Sequence, residues 1–239
     1  VHWYGMKGSP EMSAAVTREH LDGIDMTLRL DGNEMSLCLP MLGRHNVFNA
    51  LAAAGAAHAL DFDPEAIRAG LESLPPVPGR LERVPCEKPC RVLVDFAHTD
   101  HALDTVLRSL RRVAEKRILV VFGAGGDRDR AKRPRMGRVV EQRADLAWIT
   151  SDNPRSEDPK EIINDIVGGV RHRSRMRIQP DRRQAIAEAV QEAQPNDIIL
   201  IAGKGHERTQ RFRDTVIPFD DRDAVSEAVN PAAHAAIGA

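Results

Sequence analysis

The sequence predicts an α/β protein built on a doubly wound, mostly parallel sheet, and three observations carry that expectation. Residues 91–97 (RVLVDFA), 118–124 (ILVVFGA), 146–152 (LAWITSD) and 197–204 (DIILIAGK) are short, nearly continuous apolar runs. Such runs suit strands buried on both faces of a parallel sheet. Helical patterns separate them: Leu103, Val106, Leu107, Leu110 and Val113 keep a 3.6-residue period, as do Ile162, Ile163, Ile166, Val167 and Val170. Strand and helix thus alternate, the signature of an open α/β sheet.

The elements can be justified in chain order. Residues 26–30 and 34–39 alternate, with Leu28, Leu30, Met35, Leu37 and Leu39 on one face, around the turn residues Asp31-Gly32-Asn33. That predicts a β-hairpin. The run LAAAGAAHAL (51–60) predicts a helix, with His45 and Asn46 placed as caps at its start. A short helix is expected over 64–74. Pro75, Pro76, Pro78 and Gly79 then break the chain and mark a linker. In the second half, Asp158-Pro159 reads as an N-cap and first helical residue, and Asp181 opens the stripe Ile186, Ala189, Val190 and Ala193. Residues 215–219 are expected as a last edge strand. Asp95 reads alternatively as a cap for the helix that follows it.

Composition excludes several classes. The chain has 239 residues and carries 34 basic against 35 acidic side chains, so its formal net charge is -1. A dedicated nucleic-acid binder would carry a basic excess, and the 6 Phe, 2 Trp and 1 Tyr leave little for base stacking. No run approaches the ~20 apolar residues of a membrane span. The expected partners therefore include neither nucleic acid nor membrane. Cys38, Cys86 and Cys90 are expected as free, reduced thiols in a cytoplasmic protein, without a zinc site at Cys86/Cys90. Trp3, Tyr4 and Trp148 are expected to serve packing.

The chemistry should sit beyond the carboxyl ends of the strands. The four apolar runs end in Asp95-Phe96-Ala97-His98, in the loop GAGGDRD (123–129), in Ser151-Asp152-Asn153-Pro154-Arg155, and in Gly203-Lys204-Gly205-His206-Glu207. Arginines suit a ligand carboxylate, and Glu207 or Asp152 would hold an ammonium, so the set fits a zwitterionic amino acid. The loop GAGGDRD departs from GxGxxG, which argues against a nicotinamide site, and no G-x-x-x-x-G-K-S/T loop occurs. The basic run from Arg128 to Arg135 reads as a solvated helix start or a contact for a small anion. Lys204 reads either as a surface lysine or as a phosphate partner, and His206 as loop packing or a site residue.

Seven segments together resemble a known family: GRHNVFNALAA (43–53), VPGRLERV (77–84), VLVDFAHTDHAL (92–103), VFGAGGDRDRAKRPRMG (121–137), TSDNPRSEDP (150–159), IAGKGHERTQ (201–210) and FDDRDAV (219–225). They resemble the Mur ligases of peptidoglycan synthesis, and DNPR with GDRD and GKGHE resembles the branch that adds meso-diaminopimelate. The resemblance implies that residues 1–80 are the C-terminal portion of a central ATP-binding domain and residues 81–239 a Rossmann-like, amino-acid-binding C-terminal domain. It implies a monomer that uses ATP and Mg2+, with meso-diaminopimelate and a UDP-MurNAc-dipeptide as substrates. The phosphate-binding loop and the main Mg2+ ligands are expected upstream, which makes this chain a piece of the ligase, inactive alone. No catalytic residue and no metal ligand is assigned within it.

By position, the resemblance assigns Arg155 to the distal carboxylate of diaminopimelate, flanked by Asp152 and Asn153. Arg128 would be the second arginine, and Gly203 and Glu207 the partners of the distal ammonium. Asn46 and Asn49 match residues near adenine, and Arg80, Asp95 and His98 groups near ribose and phosphates. The usual DYAHTPDAL stands here as DFAHTDHAL, so Phe96, Asp100 and His101 replace tyrosine, proline and aspartate. Ala124 replaces a cysteine. Two other readings stay open: a non-catalytic amino-acid-binding module of the same fold, and a related ligase for another amino acid.

Overall fold

The computed structural model describes residues 3–6 and 11–229. The chain divides into two compact units, Val1–Pro76 and Val77–Ala239.

In the first unit, β1 (Tyr4–Gly5) pairs parallel with β2 (Met12–His20), and β2, β3 (Gly23–Leu30) and β4 (Asn33–Leu39) follow as an antiparallel meander. The expected hairpin is the β3–β4 pair, with Leu28 opposite Met35 and Leu30 opposite Asn33. Its apolar face packs on α1 (His45–His58) and α2 (Pro64–Glu72). Leu28, Leu37, Leu39, Val47, Leu51, Ile67 and Leu71 share this core. Asp63 caps α2 through Glu65 N–H, with Pro64 in the first helical position. The start of α1 corrects one expectation. Arg44 occupies the N-cap position without a side-chain cap bond, and Asn46 instead donates its side-chain amide to Leu42 O at 2.8 Å. Trp3 and Tyr4 also differ from expectation, being 70% and 46% exposed rather than packed.

In the second unit, six strands lie in the order β5 (Glu82–Val84), β6 (Arg91–Asp95), β10 (Ile198–Ala202), β7 (Ile118–Phe122), β8 (Leu146–Ile149), β9 (Met176–Ile178). All pairings are parallel except β5 with β6. The residues of β7 and β10 are buried throughout, as continuous apolar runs between two helical layers must be. One face, with Val92, Val94, Leu119, Val121, Ile199 and Ile201, packs on α6 (Arg182–Glu192) and α7 (Asp221–Val229). By the pleat, Leu93, Val120, Phe122 and Leu200 point the other way. There α3 (Asp100–Val113), α4 (Lys132–Arg143) and α5 (Pro159–Val167) form a contiguous layer. Asp158 and Asp181 cap α5 and α6 as expected. Trp148 is fully buried, donates to Glu188 at 3.0 Å and lies under the Arg177 guanidinium, so it serves packing.

Two further expectations are corrected. Residues 215–219 do not extend the main sheet: β12 (Thr215–Pro218) pairs antiparallel with β11 (Thr209–Phe212) in a separate hairpin. The basic run is solvated only in part: Arg128, Arg130 and Arg135 are exposed, but Arg133 is completely buried and held by Glu157 and Asp165 at 2.7 and 2.9 Å. The Arg133 guanidinium holds the Glu157 carboxyl down to about 2, with Asp127 N–H adding to the effect against burial. Arg182 and Asp221 form a second buried pair, bonded at 2.7 and 2.8 Å.

Candidate functional site

Strand order decides which loops meet. Because β10 lies between β6 and β7, the carboxyl ends of β6, β10, β7 and β8 are neighbours. These ends carry the four segments singled out in the sequence, at the crevice where an open α/β sheet binds ligands.

The loop after β8 and the loop after β10 share one hydrogen-bond network. Asn153 donates to Glu207 Oε2 at 2.8 Å, while its own Oδ1 accepts from Lys204 Nζ at 3.2 Å and from Arg211 N–H at 3.0 Å. Lys204 Nζ also reaches Glu207 Oε2 at 3.1 Å and Thr209 O at 2.7 Å. Lys204 is completely buried, so it is not a surface lysine; its three bonds go to protein groups. Burial opposes ionisation of Glu207, but Asn153, Lys204 and Arg155 outweigh it and hold the carboxyl below its ordinary range. Glu207 is therefore a carboxylate at neutral pH, and its side chain is 35% exposed.

Asp152 is 7% exposed, and its Oδ2 is a buried oxygen without a hydrogen-bond partner. It faces Gly203, where a Cβ would stand 2.5 Å from it. Only glycine leaves that oxygen room, and φ of 121° at Gly203 also favours glycine.

The loops after β7 and β8 place Arg155 and the stem of Arg128 beside Gly125, with the exposed Arg128 Nη1 donating to Asp127 O at 3.0 Å. Gly126 N–H donates to Asn153 O at 2.9 Å. Arg155 Nη1 donates to Gly126 O at 2.7 Å, and both Arg155 and Arg128 border Gly125, where an added Cβ would come within 2.9 and 3.9 Å of them. Arg155 adopts a left-handed backbone with φ of 54°, a conformation costing a side-chain-bearing residue about 1–3 kcal/mol. It is held there because its N–H donates to Arg211 O at 3.0 Å and its carbonyl accepts from Arg213. The β11–β12 hairpin thus fixes where the guanidinium starts. All six expected amino-acid ligands, Arg128, Asp152, Asn153, Arg155, Gly203 and Glu207, fall on these joined loops.

The residues expected near the nucleotide fall into two groups. In the first unit, Asn49 donates to Asn46 Oδ1 at 3.0 Å, which fixes both amides on the first turn of α1. In the second unit, Asp95 is buried and accepts from Leu81 N–H and Ala97 N–H, each at 2.8 Å. It does not cap α3; Thr99 does, through Ala102 N–H. Asp95 thereby pins the segment that carries Arg80. The Arg80 guanidinium lies 5.2 Å from the centre of the Phe96 ring, and His98 packs edge-on to that ring at 4.6 Å. His98 Nδ1 lies 2.8 Å from Phe96 O. His206 is exposed and its ring centre lies 5.6 Å from that of Phe96. Phe96 thus contacts Arg80, His98 and His206 through its ring, and Asp100 pairs with Arg135 at 2.9 Å on the first turn of α3.

A cavity of about 560 Å³ is lined by Ser151, Arg182, Gln210, Phe212 and Phe219 among others, and by none of the six expected ligands. Gln210 ties the two regions, donating to Asp152 O at 2.8 Å. Sequence reasoning missed Gln210, Lys204 as an internal ion-pair residue, and the cluster His20, Asp25 and Cys38 in the first unit.

The sequence pattern of the family described as "Mur ligase, glutamate ligase domain" matches residues 79–205, more than half of the chain. The chain belongs to the Mur ligase family. This Mur ligase chain is 41% identical over 228 residues to the UDP-N-acetylmuramoyl-L-alanyl-D-glutamate–2,6-diaminopimelate ligase of Solibacter usitatus, covering 95% of this chain and 46% of that protein. It is 44% identical over 210 residues to the enzyme of the same name from Gloeobacter violaceus, covering 87% of this chain and 43% of that one. The chain thus spans a little under half the length of these relatives. A solved structure of a ligase of that name superposes with a TM-score of 0.72 at 36% identity, covering 97% of this chain and 48% of that one. A UDP-N-acetylmuramate-alanine ligase from Thermotoga maritima shares the fold, with a TM-score of 0.68 at 19% identity. No helix among the described residues is long and apolar enough to cross a membrane.

Proposed function

We propose that this chain is the amino-acid-binding part of a cytoplasmic ligase that adds meso-diaminopimelate to UDP-N-acetylmuramoyl-L-alanyl-D-glutamate at the expense of ATP. The observation that carries the reading is the joining of Arg155 and Arg128 to Asp152, Asn153, Gly203 and Glu207 by loops from three neighbouring strands.

The chemistry follows from the charges. A guanidinium grips a carboxylate with two parallel donors, which a lysine ammonium cannot do. Arg155 and Arg128 would take the distal carboxylate of the amino acid. Glu207 and the unpartnered Asp152 Oδ2 supply acceptors for its distal ammonium, with Gly203 leaving the approach open. Holding that end by both its charges leaves the other amine to act as nucleophile. In the reaction the resemblance implies, ATP first phosphorylates the D-glutamate side-chain carboxylate, and the amine displaces phosphate to form the amide. The contribution of these residues is orientation.

On the nucleotide side, Asn46 and Asn49 would meet adenine, and Arg80 and His98 the ribose and phosphates. Asp95 would act as a positioning residue, since its oxygens hold backbone donors. Mg2+ takes oxygen ligands in an octahedral set. The one group of metal-ligating side chains found among the described residues mixes thiol, imidazole and carboxylate. It does not fit Mg2+, so no step here is routed through that ion.

The test is ATP-dependent amide formation by the full-length protein that contains this chain. meso-Diaminopimelate should be the acceptor, and L-lysine should be rejected by a factor of ~10² or more, since it leaves Arg155 unpaired. Equal use of both would overturn the assignment of Arg155. No ligation with any amino acid, with binding retained, would favour the non-catalytic module.

A further inference from the structure

We infer that the first unit carries a binding site for a single zinc-class divalent cation, formed by His20, Asp25 and Cys38. The three side chains come from β2, β3 and β4, and their ligand atoms all lie within 4.8 Å of one another. His20 Nε2 stands 3.3 Å from Asp25 Oδ1 and 3.9 Å from Cys38 Sγ.

These separations stand near those a tetrahedral ion requires. With zinc–nitrogen and zinc–oxygen bonds of about 2.0–2.2 Å and a zinc–sulfur bond of about 2.3 Å, tetrahedral edges come to about 3.3–3.6 Å. The 3.3 Å pair already matches such an edge, and the wider separations, the largest within 4.8 Å, close by a few tenths of an ångström to about an ångström as an ion enters. Side-chain type narrows the class. Imidazole, thiolate and carboxylate together suit Zn2+ and Co2+, and not Mg2+ or Ca2+, which take oxygen sets.

The strands build the site by ordinary sheet geometry. Asp25 and Cys38 are direct cross-strand partners, on the face opposite the buried Ile24, Met26, Leu37 and Leu39. The register of β2 against β3 shifts between Val16 and Arg18, and His20 then pairs with Gly23. Gly23 leaves room beside the Cys38 thiol. A Cβ there would stand 3.3 Å from Cys38 Sγ and 2.4 Å from Leu39 O.

His20 and Asp25 retain 26% and 41% of their side-chain exposure, so solvent can reach the ion and supply its fourth ligand. Three protein ligands plus water is the open form of a zinc site. Binding exchanges the thiol proton of Cys38 for the metal, and that proton leaves to solvent. The bound ion would tie the end of β2 to the β3–β4 hairpin.

The test is titration of Co2+ into the whole chain after chelator treatment, under reducing conditions. One equivalent should give a sulfur-to-cobalt charge-transfer band with the visible bands of a tetrahedral ion, and Zn2+ should abolish both. Cys38→Ser should remove the charge-transfer band, and His20→Asn should weaken Co2+ binding by at least about tenfold. All three side chains face outward from the core, and circular dichroism of each variant checks that the fold is kept. A double Cys86→Ser/Cys90→Ser variant should bind as the parent does. No band in the parent chain, a band that survives Cys38→Ser, or a band lost only with Cys86 and Cys90 would each overturn the proposal.

Discussion

Asn153 donates its side-chain amide to Glu207 at 2.8 Å across 54 residues of sequence. The same amide accepts from the buried Lys204, so one side chain settles the position of an acid and a base at once. The DNPR and GKGHE segments are therefore a single device.

Coupling between them is the first prediction. Asn153→Ala and Glu207→Gln should each destabilise the protein, and the double variant should lose less than the sum. The interaction energy should be about 0.5–3 kcal/mol, read from urea midpoints in a double-mutant cycle. Strict additivity would separate the two segments.

Arg155→Lys tests recognition. It keeps the charge and loses the paired donors. In the full-length protein it should raise KM for meso-diaminopimelate at least about tenfold while kcat changes little, the mark of lost ground-state binding. An unchanged KM, measured by steady-state kinetics, would take Arg155 out of the pocket.

The Arg182–Asp221 pair tests stability. Both side chains are fully buried. Asp221→Ala leaves a buried cation without its partner and should cost roughly 3–5 kcal/mol. Replacing both, as Arg182→Met with Asp221→Leu, should recover most of that loss in thermal or urea unfolding. If the double replacement is as damaging as the single one, the bond from Arg182 to Ala202 O matters more than the charge pair.

Glu157 makes acid sensitivity specific. Its carboxyl is held at about 2, against 4.5 for an unperturbed glutamate. A depressed carboxylate stabilises the fold fully above its unfolded value, and that contribution disappears as pH falls through the folded one. The window is thus from about pH 4.5 down to about pH 2. Glu157→Gln should lower the urea midpoint at neutral pH, with the gap to the parent closing across this window. A gap independent of pH would show that Glu157 acts through packing alone.

Much of this was legible in the sequence, for physical reasons. Strands such as β7 and β10 are buried on both faces, so their apolar runs are continuous and easy to find. β5 and β9 are three-residue edge strands without that signature. β2 escaped notice because its register shift interrupts the alternation and its outward face is polar. The strand-end clustering of Arg128, Asp152, Asn153, Arg155 and Glu207 could be read, because strand ends follow from the runs. The burial of Arg133, Arg182 and Lys204 could not. A charged side chain is buried only where its partners stand: Asp165 and Asp221 lie 32 and 39 residues away, and Lys204, though Glu207 is three residues on, also needs Asn153 from 51 residues back.

The central place of β10 has a consequence for synthesis. Its residues 198–202 are made after β6, β7, β8 and β9, yet they bond to β6 on one side and β7 on the other. While the chain is growing, two apolar strands wait with unpaired inner edges, and such edges are templates for pairing with other chains. Interrupting translation just before Ile198 would therefore release not a protein short of one margin but one split down its middle, with two sticky edges where a single continuous sheet should be.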